Sequence, residues 1–288
     1  MLRWIPMLAA LLLVTAARAA PVPLEVGGET IPFPADAGYV RASEAAPELF
    51  EFSQAALPEG NRLVEAFYLP EDIERLKRGE AVQDVYFQVQ TSRSAENAAI
   101  TLDEWQDARP ELVAGMQRMD REQFDETYGN ANARLSRFAG NEVEVRFGEL
   151  GMPSIYEEDE RSLRFQMVMP VEMRVGDSAM NMEIAAAGAV ALVRNRMLYI
   201  YAFVPAERID STERIRQRLD RVVDGLTGVA PAADVDTAGD GIAALPDAQG
   251  PQLRTVYLLI GVVVLVVVAL LVWAAHRRRD PGSRPPPG

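Results

Sequence analysis

From Thr255 to Ala275 the chain reads TVYLLIGVVVLVVVALLVWAA, 21 residues without a charge. At about 1.5 Å per residue, a helix of that length matches the hydrocarbon thickness of a bilayer, about 30 Å. Fourteen of these residues are Val, Leu or Ile, and together they favour insertion by about 4 to 8 kcal/mol. Tyr257 and Trp273 stand at the two ends, where amphipathic rings prefer the headgroup level, and His276 is followed by Arg277, Arg278 and Arg279. A basic flank stays on the cytoplasmic side. The spacing therefore predicts a transmembrane helix over 253–275, anchored in the lipid bilayer by Tyr257, Trp273, Arg277, Arg278 and Arg279, with a basic cytoplasmic tail over 276–288. Gly261 has no small partner four residues on, so the close-packing dimer motif of membrane helices is missing and the segment reads as an anchor.

The other end carries a second, shorter apolar stretch. Arg3 supplies a positive charge, Met7 to Ala17 are apolar, and Ala17-Arg18-Ala19 is a small-x-small site, which is the pattern of an export signal peptide over 1–19. A cut after Ala19 is favoured over one after Ala20, because Pro21 would then follow the scissile bond. An uncleaved signal anchor is the alternative, and it leaves the rest of the chain on the same side.

What lies between is strongly acidic. Residues 21–252 hold 41 of the 42 acidic residues and 22 of the 29 basic ones, a formal charge of −19. Such a field repels polyanions, so nucleic acid is excluded as a partner. There is no cysteine, so a domain exported into an oxidising compartment must be held by burial rather than by disulfides. Twenty-eight arginines stand against one lysine, Lys77, and no Asn-x-Ser/Thr sequon occurs; both point to a bacterial, GC-rich source and a periplasm or its equivalent.

Within the acidic part, Leu24 to Phe33 reads as a hairpin turning at Gly27-Gly28. Ser43 is placed to cap a helix running to about Leu57, with Leu49, Phe50 and Phe52 on its apolar side. Residues 61–69 suit a strand. Pro70, the acids Glu71 and Asp72, the bases Lys77 and Arg78 and then Gly79 frame a short helix. From Asp84 to Thr91 the chain alternates Val85, Phe87, Val89 with Tyr86, Gln88, Gln90, the pattern of a strand buried on one face. Thr101 to Glu104 form a capping box that opens a helical region to about Phe138, with Pro110 as a possible break. Strands are expected over 142–147, 162–174, 180–194 and 197–204, with a tight turn at Asn195-Arg196. Asp210 to Glu213 form a second capping box, and Ile215, Leu219, Val222, Val223 and Leu226 follow at helical spacing. Strands joined by such short turns must be antiparallel. The expected fold is an α+β domain over 20–228, an antiparallel sheet packed against helices. Residues 229–252, rich in Ala, Asp, Gly and Pro, form a linker spanning about 25 to 30 Å as a flexible coil.

The order strand, helix, strand, helical stretch, strand meander and final helix is carried by NRLVEAFYL, DVYFQVQT and AVALVRNRMLYIYAFV followed by DSTERIRQRLDRVVDGL. It resembles the PsbP-like α/β/α sandwich domains over residues 24–228. The resemblance implies a binding or assembly module and carries no site residue with it.

Chemistry is sparse. The lone histidine, His276, lies beside the apolar segment, so residues 20–252 contain neither His nor Cys. Nucleophile–histidine systems and the common zinc sites need those residues. No phosphate loop or dinucleotide fingerprint occurs, and no cofactor, catalytic or metal residue is assigned. Glu157, Glu158, Asp159 and Glu160 suit a solvated loop or a hard-cation site. Asp103, Asp107 and Glu111 share one helix face, as an exposed acidic surface or as acid and base. The stretch from Asp234 to Leu245 fails as a calcium loop at Ala238 and Leu245, and Leu245 to Gln249 lack the Thr and Gly of a sortase signal. Tyr199, Tyr201 and Phe203 form an aromatic stripe on one sheet face, as core packing or as a groove. The expected function is a non-enzymatic, membrane-tethered module of the bacterial envelope that binds an unknown envelope protein or component. Two alternatives stay open, a carboxylate-dependent cell-wall hydrolase and a divalent-cation-binding protein.

Overall fold

The computed structural model describes residues 20–78, 80–118, 131–137, 142–148, 153–175, 178–205 and 211–228. The segments expected to be signal peptide, linker, membrane anchor and tail, with Tyr257, Trp273 and Arg277 to Arg279, lie outside the described residues, as do Gly79, Phe138 and Asp210. Among the described residues no helix is long and apolar enough to cross a membrane.

The first hairpin, β1 (Val22–Val26) and β2 (Glu29–Phe33), turns where the two glycines stand. Gly27 and Gly28 have φ of 55° and 81°, the pair of positive values that a tight two-residue hairpin turn requires and that glycine adopts without strain. The remaining strands form one antiparallel sheet of eight. Its order is β3 (Val40–Arg41), β4 (Asn61–Tyr68), β5 (Tyr86–Ser92), β10 (Arg196–Pro205), β9 (Ser178–Val193) and β8 (Ser162–Val175), after which β6 (Val143–Phe147) and β7 (Ser154–Glu158) share the far side of β8.

Each face of this sheet has its own cover. On one lie α1 (Ala42–Ala45), α2 (Pro47–Ala56), α3 (Pro70–Lys77), α4 (Leu102–Gln117) and α5 (131–137), burying Phe52, Ile73, Leu76, Trp105 and Leu135 with Tyr86, Tyr199, Tyr201 and Phe203. On the other lie the β1–β2 hairpin and α6 (Ser211–Thr227), burying Leu24, Phe33, Ile215, Leu219, Val223 and Leu226 with Phe87, Val89, Leu198 and Ile200. The result is three layers, an α+β fold with the antiparallel sheet packed against helices. The aromatic stripe of β10 is core, and the apolar spacing of the final helix is the face it buries; each such side chain contributes about 1.5 to 3 kcal/mol.

Strand β9 explains how two layers approach so closely. Ala185, Ala187, Ala189 and Ala191 face α6, whereas Ala186, Gly188 and Val190 alternate to the opposite side. A Cβ on Gly188 would sit 2.3 Å from Cζ of Phe165, so the far end of the Phe165 ring fills the space a side chain would take. Small residues here set the thickness of the sandwich.

Four expectations are corrected. Ser43 does not cap a helix: its N–H and hydroxyl both donate to Glu65, at 3.1 and 2.5 Å, and a separate helix starts with Pro47 at its first turn. A buried carboxylate outcompetes a local cap because it also receives Arg41 Nε at 2.8 Å and the Ala66 N–H at 3.0 Å. Strand β5 is buried on both faces, with Gln88 and Gln90 inside, because helices cover the side that alternation marked as wet. The β9–β10 turn falls on Arg194-Asn195, with φ of 48° and 61°, not on Asn195-Arg196. Glu157 and Glu158 belong to β7, an unexpected strand, and only Asp159 to Arg161 turn the chain.

The sheet's edges are closed by side chains. Gln54 Oε1 accepts the Leu63 N–H at 2.7 Å, beside a bulge in β4. At the other end Asn132 donates to the Val145 carbonyl at 3.1 Å and accepts its N–H at 3.2 Å, imitating a strand partner. Strand β7 carries a bulge and two acids. Edges blunted this way resist pairing with a second chain.

The capping box at Thr101 is complete: Glu104 N–H donates to Thr101 Oγ1 at 3.3 Å and Thr101 N–H donates to Glu104 Oε2 at 2.8 Å. Thr101→Ala is expected to cost about 1 kcal/mol, read as a lower denaturation midpoint with unchanged slope.

Candidate functional site

Two grooves flank α3, and their characters differ because the helix has two unlike sides. Pro70 at its first turn and Arg75 and Lys77 in its last fix its ends. Ile73 and Leu76 turn inward and toward α2; Glu71, Glu74 and Arg75 turn the other way.

The first groove has a volume of about 600 Å³ and is lined by Glu71, Asp72, Glu74, Arg75, Arg78, Asp84 and Arg214, with Leu69 and Gln83. Asp72 is its buried element. Its two oxygens accept the N–H groups of Gln83 and Asp84 at 2.9 and 3.2 Å, so the carboxylate clasps the loop before β5 to α3. Burial pushes the Asp72 carboxyl up, against the lowering effect of those two hydrogen bonds. Arg214 closes the groove from α6, reaching the Gln83 carbonyl at 3.5 Å. Beyond it Arg218 meets Asp36 at 3.1 Å and Asp84 at 3.8 Å, tying α6 to the loop after β2 and the loop before β5.

The second groove, about 380 Å³, is apolar: Ala45, Ala46, Pro47, Leu49, Ile73 and Leu76 line it, with Glu48 and Lys77 at the rim.

A third constellation was not legible as a site. Arg164, 2% exposed in β8, pairs with Asp224 at 2.6 Å, Asp159 at 3.0 Å, Asp220 at 3.2 Å and Glu157 at 3.6 Å. Tyr156 donates its hydroxyl to Asp220 at 2.9 Å, and the Arg216 guanidinium lies 5.2 Å from the centre of its ring. One buried cation thus joins the β7–β8 turn to two successive turns of α6. Burial opposes the charge of Arg164, but Asp224, Asp220 and Glu157 more than offset this and hold its pKa above the usual arginine range. The signal in the sequence was a single charge within SLRFQMVM, matched by Asp220 and Asp224 four apart on the last helix.

Asp159 is held below the usual carboxylate range. Burial alone would raise it, but hydrogen bonds from the Ser162 hydroxyl and the Arg161 and Ser162 N–H groups, with the charge of Arg164, outweigh that. A depressed folded pKa contributes stability present above the unfolded value, near pH 4, and lost as pH falls through the folded one. Acid titration of the melting temperature should therefore fall less steeply below about pH 4 in Asp159→Asn than in the wild type.

Of the other acids singled out by spacing, Glu157 and Asp159 meet on Arg164. Asp103, Asp107 and Glu111 are exposed along α4, and Glu157 to Glu160 are divided between β7 and a turn. Among the described residues no group of three or more acids, histidines or cysteines is placed to hold a metal ion. Inside the sheet–helix interface, Asn61 donates to Gln90 at 3.4 Å and Gln90 to Gln88 at 3.2 Å. Tyr86 Oη and Trp105 Nε1 are buried there with no hydrogen-bond partner among the described residues. No protein-family model matches the chain, and no curated protein matches it.

Proposed function

We propose that this chain is a single-pass, membrane-tethered binding or assembly module of a bacterial envelope, without enzymatic activity. In this reading 1–19 is an export signal, 20–228 the domain outside the cytoplasmic membrane, 229–252 a tether, 253–275 the membrane helix and 276–288 the cytoplasmic tail. The observation that carries it is the uncharged run from Thr255 to Ala275 closed by Arg277 to Arg279. The likeness to PsbP-like sandwich domains rests on element order and belongs to the same proposal.

Two features favour binding over hydrolysis. Asp72, the carboxyl whose pKa burial raises, is 2% exposed and faces the Gln83 and Asp84 N–H groups; a general acid must lie within hydrogen-bond reach of the substrate atom it protonates. The acidic chain also lacks His and Cys from 20 to 252.

Membrane fractionation and protease shaving test the topology. The protein should stay in the membrane pellet after alkaline carbonate, and protease added to spheroplasts should remove the domain while a tag fused after Gly288 remains protected. Release by carbonate, or digestion of that tag in sealed spheroplasts, refutes the tethered reading. Cross-linking in intact membranes then identifies what is held.

A further inference from the structure

We propose that the groove between α3, the loop before β5 and α6 binds a small zwitterion between Glu71 and Arg214: the ammonium and carboxylate of an amino acid, free or at the end of a peptide. This rests on the reading of the chain as a binding module and names a ligand for it.

The groove is open and charged. Of its nine lining residues only Leu69 is apolar, and Glu71, Glu74, Arg78 and Gln83 are exposed. Its volume of about 600 Å³ lies in the range of small-molecule sites. An apolar ligand finds no floor in it.

Most of the lining charges are already committed. Asp72 accepts the N–H groups of Gln83 and Asp84, Glu74 holds Lys77 at 2.6 Å, and Asp84 faces Arg218 at 3.8 Å. Arg75 and Arg78 share Glu80, at 3.4 and 2.8 Å. Two charges are left over. Glu71, on the first turn of α3, and Arg214, on the first turn of α6, form no ion pair among the described residues, with each other or with anything else. Arg214 makes one long hydrogen bond, to the Gln83 carbonyl at 3.5 Å, and its Nε is buried without a partner.

An unmatched acid and an unmatched base on different walls of one recess select the occupant. A ligand carrying both signs satisfies the two at once through charge-assisted hydrogen bonds. A diacid would face Glu71, Asp72, Glu74 and Asp84 within a strongly acidic domain, and a diamine would face Arg75, Arg78 and Arg214. A zwitterion has no net charge and meets neither penalty.

The test is calorimetric titration of the full chain in phosphatidylcholine nanodiscs, with empty nanodiscs subtracted and meso-diaminopimelate as the probe. Saturable binding is expected, whereas cadaverine and glutarate, each carrying one sign only, should not bind. Glu71→Gln and Arg214→Gln should each weaken binding about tenfold or more. The exchanged pair, Glu71→Arg with Arg214→Glu, should recover most of it with the ligand reversed. Melting curves matching the wild type establish that the variants are folded, and if the exchanged pair does not fold the two single variants decide. Binding unchanged in both single variants, or equal binding of cadaverine or glutarate, overturns the site. The source is read by comparing L-alanine with the tripeptide L-alanyl-γ-D-glutamyl-meso-diaminopimelate: tighter binding of the tripeptide assigns a cell-wall peptide, and binding of L-alanine as tight assigns a free amino acid. If the site fails while carbonate extraction leaves the protein in the membrane and cross-linking captures a partner, the tethered reading stands without it. If carbonate releases the protein, that reading fails whatever the groove binds.

Discussion

Gly188→Val is expected to lower the stability of the domain by about 3 kcal/mol or more, visible as a fall of roughly 6 to 12 °C in melting temperature. The cause is local and geometric. Three atoms of the Phe165 ring lie 2.3 to 2.9 Å from where the first side-chain carbon would be. The ring cannot swing away, because Phe165 is 1% exposed and packs edge-on against Tyr201 at 6.4 Å. Gly188→Ala adds the single clashing carbon and is expected to cost about 1 to 3 kcal/mol. Phe165→Leu leaves a cavity alone but relieves that clash, so the double variant should be more stable than the sum of the two effects predicts. Strict additivity in this cycle would show that the ring is not the obstacle.

Arg164→Met is the second large expectation, a loss of about 2 to 3 kcal/mol. A fully buried pair that loses one partner costs more, about 3 to 5 kcal/mol. Here the four carboxylates keep 26% to 66% of their side-chain surface exposed and can turn to water once the cation is gone. Arg164→Lys should recover little, since a point charge cannot reach Asp159, Asp220 and Asp224 together as the planar fork does. Hydrogen exchange should localise the loss: amides of α6 lose protection in the variant while those of β5 and β10 keep theirs. Uniform loss would place the effect in the sheet instead.

What could be read from the sequence divides along physical lines. Helix α6 was legible because five apolar residues repeat at helical spacing and all five are buried. The hairpin of β1 and β2 was legible because glycine alone adopts both turn conformations freely. Strand β5 was only half legible: alternation says that two faces differ, and Gln88 and Gln90 look like a wet face until a second helical layer is known to lie on them. Strand β7 was hidden because Ser-Ile-Tyr-Glu-Glu has too little apolar content for a strand and is held by pairing with β8 rather than by burial. Ser43 was misassigned because its partner, Glu65, lies 22 residues away, and nearest-neighbour reasoning ranks a local cap first. The Arg164 cluster needed tertiary knowledge, since only the packing of α6 across β8 and β9 brings its members together. The α3 grooves were not visible at all, because a recess belongs to no single segment.

Helix α6 is the last described element before the stretch that leads toward the apolar run, and it is fastened to the sheet by side chains alone. Tension arriving along the chain from beyond Thr227 therefore enters the domain through a part with no backbone ladder to share the load. Its alanine-lined seat, the Arg164 fork and the Arg218 pairs with Asp36 and Asp84 are the fasteners, and under such a pull they are expected to yield before the hydrogen bonds between strands. Mechanically the helix is then expected to act as a fuse, peeling first and sparing the sheet with its helical cover on the opposite face.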